Sequence, residues 1–299
     1  MPKNLKVSVC MITYGHESFI EEAINGVLMQ EVDFDFELII SNDASPDNTD
    51  EIVRSIIKNH ARGNRIRYIK HETNIGMMPN SLFILEASKG EFIAVCEGDD
   101  YWTDPLKLKK QISFLESNPD YVMCFHRCQF LTLENGKNKF VDQDLEVIDY
   151  EYNLYGLLYH WNIPTASICF RNVFLEEENV FPYDFLNVQS GDIALASYLF
   201  QFGKFFLFKE IMSVYRVFGL GVSVTHKDLR MIHYRANLYY RINEYYSFKY
   251  ETEIYQALHD VMNRYAPVLC IEKNAVNNYS SRKLIYILFR RLKRKITRR

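Results

Sequence analysis

Short apolar runs alternate with segments of helical periodicity up to about residue 117. Such runs are typical of strands buried on both faces of a parallel sheet, and the repeated alternation indicates right-handed crossovers. Strands are predicted at Val7–Thr13, Phe36–Ile40, Ile66–Ile69 and Phe92–Cys96, and helices at Glu17–Met29, Asp50–Lys58, Asn80–Ser88 and Pro105–Ser117.

The pattern changes beyond residue 120. The remaining predictions are an extended segment at Tyr121–Leu133 with a hairpin turn at 134–137, strands at Ile163–Phe170, Phe205–Phe208 and Ser213–Val217, and a helix at Gly191–Phe202. From about Asp228 the pattern is helical to the end. The sequence therefore predicts an α/β domain over residues 1–225 and a helical extension over residues 226–299.

An acidic turn, Glu97-Gly98-Asp99-Asp100, directly follows the strand predicted at Phe92–Cys96. Ligands bind at the carboxyl ends of strands in open α/β sheets. Three carboxylates repel one another unless a cation lies between them, and hard oxygen ligands suit Mg²⁺ or Mn²⁺. The turn predicts a metal–nucleotide site, and the alternative is a solvated acidic turn.

Two further motifs fall at the same predicted edge. Asp43, after the second strand, can accept hydrogen bonds from a base or a ribose, as acids do in dinucleotide folds. Tyr14, after Thr13 of the first strand, can stack on a base. Ordinary turn chemistry is the alternative for both motifs, and it explains Asp43 better when that residue is taken alone.

Two motifs lie later in the chain. Asp192, near the start of a predicted helix, can act as a general base or can simply be an acid favoured at a helix N-terminus. Arg216, ahead of the glycine-rich loop at 219–221, can contact phosphate. Each motif is weak evidence by itself.

Charge is spread unevenly over the 299 residues, whose net charge is −3. Arg282–Arg299 contains nine Lys and Arg residues and no acid, so the rest of the chain is acidic and would repel nucleic acid. Basic residues beside the apolar run at 284–289 are typical of a helix on an anionic membrane surface. The six cysteines lie in mostly apolar segments, which favours reduced thiols in the cytoplasm. We find no signal peptide or membrane span in the sequence and expect a protein that is cytoplasmic or peripheral on the inner face of the membrane.

The order of these motifs resembles glycosyltransferase family 2, over about Lys6 to Ser223. The resemblance is carried by the segments Val7–Tyr14, Glu37–Thr49, Asn74-Ile75-Gly76 with Asn80, Gly90–Asp100, Pro105-Leu106, Gly191-Asp192 and Tyr215-Arg216. The Asp43 loop and the Glu97–Asp100 turn are the most specific of them.

The resemblance implies a GT-A fold, with a Rossmann-like, mixed and mostly parallel sheet flanked by helices. It also implies a nucleotide-sugar donor, most often a UDP-sugar, with Mg²⁺ or Mn²⁺ as cofactor. By matching position, the nucleotide would be bound by Thr13, Tyr14, Asp43, Asn74, Glu97 and Gly98. Asp99 would be the metal ligand, Asp192 the catalytic base, and Asp100, Arg216 and His226 the support of the donor sugar or diphosphate.

Two departures from the family pattern bear on the metal. Glu97 replaces the usual first Asp of the Asp-x-Asp motif, so its carboxylate reaches one methylene further. Phe218 falls where many members have a histidine that often helps bind metal or diphosphate. Either His226 substitutes for it, or the site lacks a third protein ligand.

The predicted activity is an inverting transfer of a sugar to a hydroxyl of a glycan or lipid-linked acceptor, in cell-surface polysaccharide synthesis. One alternative is a nucleotidyltransferase, which would normally have a glycine-rich basic loop after the first strand, where this chain has Thr13–Glu17. The other is a non-catalytic nucleotide-sugar-binding or scaffold protein, against which Asp99 and Asp192 argue. The acceptor is expected to bind near Tyr152–Ser167 and Asp184–Gln189. No motif in the sequence specifies the sugar, the linkage or the oligomeric state.

Overall fold

A computed structural model describes residues 5–134, 136–144, 154–160, 163–182, 190–217 and 229–265. Up to residue 117, strands and helices alternate as the apolar pattern predicts. The elements are β1 (Val7–Thr13), α1 (Ile20–Leu28), β2 (Phe36–Asn42), α2 (Thr49–Asn59), β3 (Ile66–Lys70), α3 (Met77–Ala87), β4 (Phe92–Val95), β5 (Tyr101–Trp102) and α4 (Lys107–Ser117).

The later elements are less regular. They are β6 (Tyr121–Glu134), β7 (Lys137–Asp142), α5 (Leu154–His160), β8 (Cys169–Arg171), α6 (Gly191–Leu199), β9 (Lys204–Val217), α7 (Leu229–Tyr245) and α8 (Glu251–Tyr265). The hairpin signal at 134–137 is confirmed, since Glu134 of β6 lies opposite Lys137 of β7.

All nine strands of the described residues form one sheet, in the order β3-β2-β1-β4-β8-β6-β9-β5, with β7 paired to β6. The strands β3, β2, β1 and β4 run parallel to one another. β8 is antiparallel to β4 and β6, β6 and β9 are parallel, and β5 is antiparallel to β9. The carboxyl ends of β1, β2 and β4 therefore meet at one edge, with β1 between the other two.

The central strands are buried because helices cover both faces of a parallel sheet. Val9 of β1, Leu38 of β2 and Ile93 of β4 have no exposed surface. Burial of an aliphatic side chain of this size contributes about 1.5–3 kcal/mol to stability. Strands fixed in this way hold the polar loops at their ends in register.

Several boundaries differ from the sequence prediction. The strand predicted at Ile163–Phe170 is limited to Cys169–Arg171, because Thr165–Ser167 forms a 3-10 turn after Pro164. The two strands predicted between residues 205 and 217 are one continuous strand, β9. Helix α5 and the two-residue strand β5 were not predicted from the sequence.

Strand β5 is anchored by Trp102, which is 1% exposed and donates from Nε1 to the carbonyl of Ala166 at 2.9 Å. Lys107 Nζ lies 3.9 Å from the centroid of the Trp102 ring and donates to Gln111 Oε1 at 2.7 Å. Burial lowers the pKa of Lys107 to about 8. This packing fixes the strand that follows the acidic turn.

The chain forms two compact units. One contains the whole sheet with α1–α4, and the other contains α5, residues 191–198 of α6, α7 and α8. In the second unit, Tyr239 donates to the carbonyl of Leu158 at 2.6 Å, and Tyr155 donates to Asp260 at 3.0 Å. The predicted boundary at residue 225 lies outside the described residues.

The described cysteines, Cys10, Cys96, Cys124, Cys128 and Cys169, are all free and buried. Within the described ranges, no helix combines the length and apolar character needed to cross a bilayer. The basic tail Arg282–Arg299 lies outside those ranges.

Candidate functional site

The turn between β4 and β5 is tied to the end of β1 through backbone hydrogen bonds. Gly98 donates to the carbonyl of Ile12 at 3.0 Å, and Asp100 donates to the carbonyl of Glu97 at 3.1 Å. A Cβ atom at Gly98 would lie 2.8 Å from Thr13 Oγ1 and 2.9 Å from His16 Nδ1. Only glycine lets the turn approach β1 this closely.

The structure brings the three carboxylates of this turn together. One oxygen from each of Glu97, Asp99 and Asp100 lies within 4.8 Å of the others. Asp100 is 1% exposed, and its Oδ1 accepts from the backbone N–H of Arg216 at 2.8 Å. Its Oδ2 is buried with no hydrogen-bond partner among the described residues.

Burial raises the pKa of Asp100 well above its usual range, and the negative charges of Asp99 and Glu97 raise it further. A buried carboxylate oxygen without a donor, facing two more acids, is costly unless a positive charge compensates it. The oxygen-only donor set fits a hard divalent cation such as Mg²⁺ or Mn²⁺. Asp99 is accessible to a ligand, with 39% of its side chain exposed.

Arg216 binds the backbone of the acidic turn. Its Nη1 donates to the carbonyl of Asp99 at 2.7 Å, and its Nη2 pairs with Glu22. The guanidinium also lies 4.5 Å from the Tyr101 ring centroid and 5.0 Å from that of Phe19, and 6% of the side chain is exposed. These contacts direct Arg216 at the backbone of the turn, and its predicted support of a diphosphate stays a prediction.

Asp43 lies at the predicted strand end and is 3% exposed. Its two carboxylate oxygens accept from the backbone N–H groups of Ile75 at 2.7 Å and Gly76 at 2.9 Å. Gly76 has φ of +93°, a conformation that favours glycine. Asp43 therefore shapes the β3–α3 loop, which carries the exposed Asn74.

The loop from β1 to α1 is hydrogen-bonded to the loop from β2 to α2. The backbone N–H groups of Gly15, His16 and Glu17 donate at 3.0–3.1 Å to Ser45 Oγ, Thr49 Oγ1 and Asp47 Oδ2, respectively. Tyr14 is 50% exposed on this loop, as a ring that stacks on a ligand would be. Thr13 is buried, and its Oγ1 has no partner within the described residues.

His16 joins this site although sequence reasoning gave it no role. Its Nε2 lies 4.0 Å from Asp99 Oδ2, and its buried Nδ1 has no hydrogen-bond partner in the described part of the chain. Burial lowers the pKa of His16, Arg216 lowers it further, and Asp99 and Asp47 oppose the shift. Its only signal in the sequence is its place three residues after Thr13, where the first strand ends.

The predicted catalytic base belongs to the other unit. Asp192 lies in the first turn of α6, is half-buried, and accepts at Oδ1 from the backbone N–H of Ile193 at 2.9 Å. His226 and Phe218 lie outside the described residues, as do Tyr152 and Asp184–Gln189 of the expected acceptor side.

Comparison with known proteins bears on the family and the fold. The model of the family "Glycosyl transferase family 2" matches residues 8–178. An uncharacterized protein of Mycobacterium tuberculosis is 33% identical over 225 residues, which cover 72% of this chain and 60% of that protein. The chain thus spans less than two thirds of the length of this relative.

Solved structures share the fold at low sequence identity. The chain matches the crystal structure of S. aureus TarS 1-349 in complex with UDP-GlcNAc with a TM-score of 0.58 and 18% identity, covering 95% of this chain and 90% of that one. The mannosyltransferase PcManGT from Pyrobaculum calidifontis, in complex with GDP-Man and Mn2+, matches with a TM-score of 0.57 and 14% identity, covering 96% and 87%. The family match and these folds confirm the resemblance seen in the motifs. The chain belongs to glycosyltransferase family 2 and has the GT-A fold.

Proposed function

We propose that this chain is a metal-dependent, inverting glycosyltransferase that moves a sugar from a nucleotide-sugar, most often a UDP-sugar, to a hydroxyl of a glycan or lipid-linked acceptor. Cell-surface polysaccharide synthesis is the process that would use it. The observation that carries the proposal is the Glu97–Asp100 turn, whose buried Asp100 Oδ2 has no partner among the described residues, at the edge shared with Thr13 and Asp43.

The nucleotide would be bound by the ends of β1 and β2. The exposed Tyr14 ring can stack on a base. Thr13, to which the family resemblance gives a nucleotide contact, precedes Tyr14 at the end of β1. The complexes of TarS with UDP-GlcNAc and of PcManGT with GDP-Man support a nucleotide-sugar donor.

Mg²⁺ or Mn²⁺ would be held by Asp99, with Glu97 and Asp100 beside it. When bound, the cation would offset the negative charge that builds on the leaving diphosphate. Arg216 holds the backbone of Asp99 in place, so the carboxylates are positioned before a ligand arrives.

Asp192 would act as the base. An acceptor hydroxyl is too weak an acid to attack unaided at neutral pH, so a positioned carboxylate takes its proton as the new bond to the anomeric carbon forms. The bond from that carbon to the diphosphate oxygen breaks on the opposite side, through an oxocarbenium-like transition state. Direct displacement of this kind inverts the anomeric configuration.

The test is a panel of nucleotide-sugars measured by thermal shift with Mn²⁺ and by release of free nucleoside diphosphate. A donor present at a hundredfold excess over its dissociation constant should stabilise the protein by about 2.7 kcal/mol. Asp192→Asn should keep that stabilisation but lower transfer to acceptor by roughly 100-fold to 10,000-fold. Donor binding without turnover under any acceptor screen would favour the scaffold alternative.

The membrane proposal is tested separately. We propose that Arg282–Arg299 holds the protein on an anionic inner membrane surface. Removing these residues should move the protein from the membrane fraction to the supernatant of broken cells, and an unchanged membrane fraction would refute this role for the tail.

A further inference from the structure

His16 faces Asp99 across a gap suited to an ion. The 4.0 Å between His16 Nε2 and Asp99 Oδ2 is too long for a hydrogen bond. Two ligands of one small divalent cation, each about 2.1 Å from it, lie at most about 4.2 Å apart. The separation of the pair lies within this limit, so one ion can contact both atoms.

The backbone that carries His16 is fixed by a hydrogen bond to the start of α2. The backbone N–H of His16 donates to Thr49 Oγ1 at 3.1 Å, and Thr49 Oγ1 donates in turn to Asp47 Oδ1 at 2.6 Å. The imidazole Nδ1 of His16 lies against the backbone of Gly98. With 22% of the side chain exposed, His16 remains accessible to a ligand from solvent.

A second observation, at the neighbouring carboxylate of the same turn, also points to a cation. Asp100 is 1% exposed, and its buried Oδ2 has no hydrogen-bond partner among the described residues. The nearby guanidinium of Arg216 is engaged with Glu22 and the backbone of Asp99. Within the described ranges, no hydrogen-bond donor reaches Asp100 Oδ2.

We propose that His16 is a direct ligand of the divalent cation, together with Asp99, and that it makes this site prefer Mn²⁺ over Mg²⁺. The inference rests on the metal-dependent function proposed above. Mg²⁺ prefers oxygen ligands, whereas imidazole suits transition metals. His16 would supply from the β1–α1 loop the nitrogen ligand that the sequence lacks at Phe218.

The experiment is pulsed electron paramagnetic resonance of Mn²⁺ bound to the full chain with UDP. The wild type should show coupling of Mn²⁺ to ¹⁴N, and labelling histidine with ¹⁵N should change that signal. His16→Gln should abolish the coupling and weaken Mn²⁺ binding by about 10-fold to 100-fold, with a smaller effect on Mg²⁺. His60→Gln, at the end of α2, is the matched control and should keep the coupling.

His226→Gln separates the two candidate histidines. Coupling that survives in His226→Gln supports His16, and coupling lost only in His226→Gln overturns the inference. This comparison stays decisive if His16→Gln fails to fold, which its metal-free melting temperature would reveal.

The remaining outcomes separate this inference from the proposed function. Mn²⁺ bound without nitrogen coupling would overturn the role of His16 and leave the metal-dependent glycosyltransferase standing. No Mn²⁺ binding, with or without UDP, would overturn both.

Discussion

Two acidic loops flank β1 at the same edge of the sheet, and they differ in the hydrogen bonds that their carboxylates accept. In the loop after β2, the oxygens of Asp43 accept from two backbone N–H groups, and Asp47 accepts from the backbone N–H of Glu17 and from Thr49. In the turn after β4, Asp100 Oδ2 has no partner among the described residues. Protein donors reach the acids named in the first loop, whereas Asp100 Oδ2 in the second has none within the described residues.

The pKa directions follow the same division. Partial burial raises the pKa of Asp47, but hydrogen bonds from Thr49 and Glu17 outweigh it and leave the pKa below its usual range. Burial raises the pKa of Asp100 with no comparable compensation. The number of donors that reach each acid, and not the number of acids, distinguishes the loop after β2 from the turn after β4.

The largest effect is expected from Asp99→Asn. Removing the predicted metal ligand should cost several kcal/mol of transition-state stabilisation, which is roughly a 1000-fold loss of nucleoside diphosphate release. Asp47→Asn, the control from the other loop, should cost about 1 kcal/mol of stability and keep metal-dependent turnover. Steady-state kinetics with and without Mn²⁺ compares the turnover of the two variants, and urea unfolding measures the stability of Asp47→Asn. Equal losses of turnover would contradict the difference between the two loops.

Asp43→Ala should have the next largest effect, on stability. The N–H groups of Ile75 and Gly76 would lose their acceptor, at about 1–3 kcal/mol for each donor that stays buried. Urea unfolding measures the loss, and Asp33→Ala, at an exposed acid, should change little. Wild-type stability in Asp43→Ala would show that its carboxylate does not organise the β3–α3 loop.

Gly98→Ala should cost about 1–3 kcal/mol, because the added Cβ meets Thr13 Oγ1 and His16 Nδ1 at less than 3.0 Å. Thr13→Ala in the same chain should recover part of that loss. A double-mutant cycle by urea unfolding measures the coupling between the two positions. Additive losses of stability would mean that the Cβ added at position 98 makes no steric contact with the Thr13 side chain.

The pH dependence of metal-free stability should differ between the two regions. Because the pKa of Asp100 is raised, its contribution is fully present below the unfolded pKa of about 3.9 and is lost as the pH rises through the folded pKa. Asp99 and Glu97 strengthen this trend, and Arg216 weakens it. Asp50, on α2 beyond the β2 loop, should show the opposite trend.

Partial burial raises the pKa of Asp50, but hydrogen bonds from Tyr68 and Lys70 lower it overall, so its contribution is lost as the pH falls. Urea unfolding of the metal-free protein, at pH values below and above the ordinary carboxylate pKa of about 3.9, measures both trends. Asp100→Asn should remove the loss at higher pH, and Asp50→Asn the loss at lower pH. An unchanged profile in Asp100→Asn would contradict the assignment.

The smallest effect is expected from Glu22→Gln. Glu22 is 56% exposed, and its ion pair with Arg216 should contribute no more than about 1 kcal/mol. Arg216→Lys should cost more, because the guanidinium also binds the backbone of Asp99 and stacks on Tyr101. Thermal unfolding compares the two variants, and a larger loss in Glu22→Gln would reverse this ranking.

The sequence predicts the parallel part of the fold well, because β1, β2 and β4 are mostly apolar runs. It predicts two strands in place of β9 because the polar Lys209 and Glu210 interrupt the apolar pattern. In the structure the register between β9 and β6 shifts at these two residues, so neither is paired with a residue of β6 although the strand continues. Strand β5, with two residues, is too short to leave any periodic signal.

The same limit applies to the site. The convergence of Thr13, Asp43 and Asp99 at one edge follows from the rule for strand ends and could be predicted. The inward direction of Arg216 and the approach of His16 to Asp99 depend on contacts between distant segments, which local patterns do not encode.

The hydrogen bond from Arg216 to Asp99 spans 117 residues of sequence. At about 5–20 residues per second, a ribosome would need roughly 6 to 23 s between making one partner and the other. During that interval the nascent acidic turn has neither its arginine nor the β9 strand that pairs with β5. The site is therefore among the last parts of the sheet to be completed during synthesis, after β1, β2 and β4 have been able to associate.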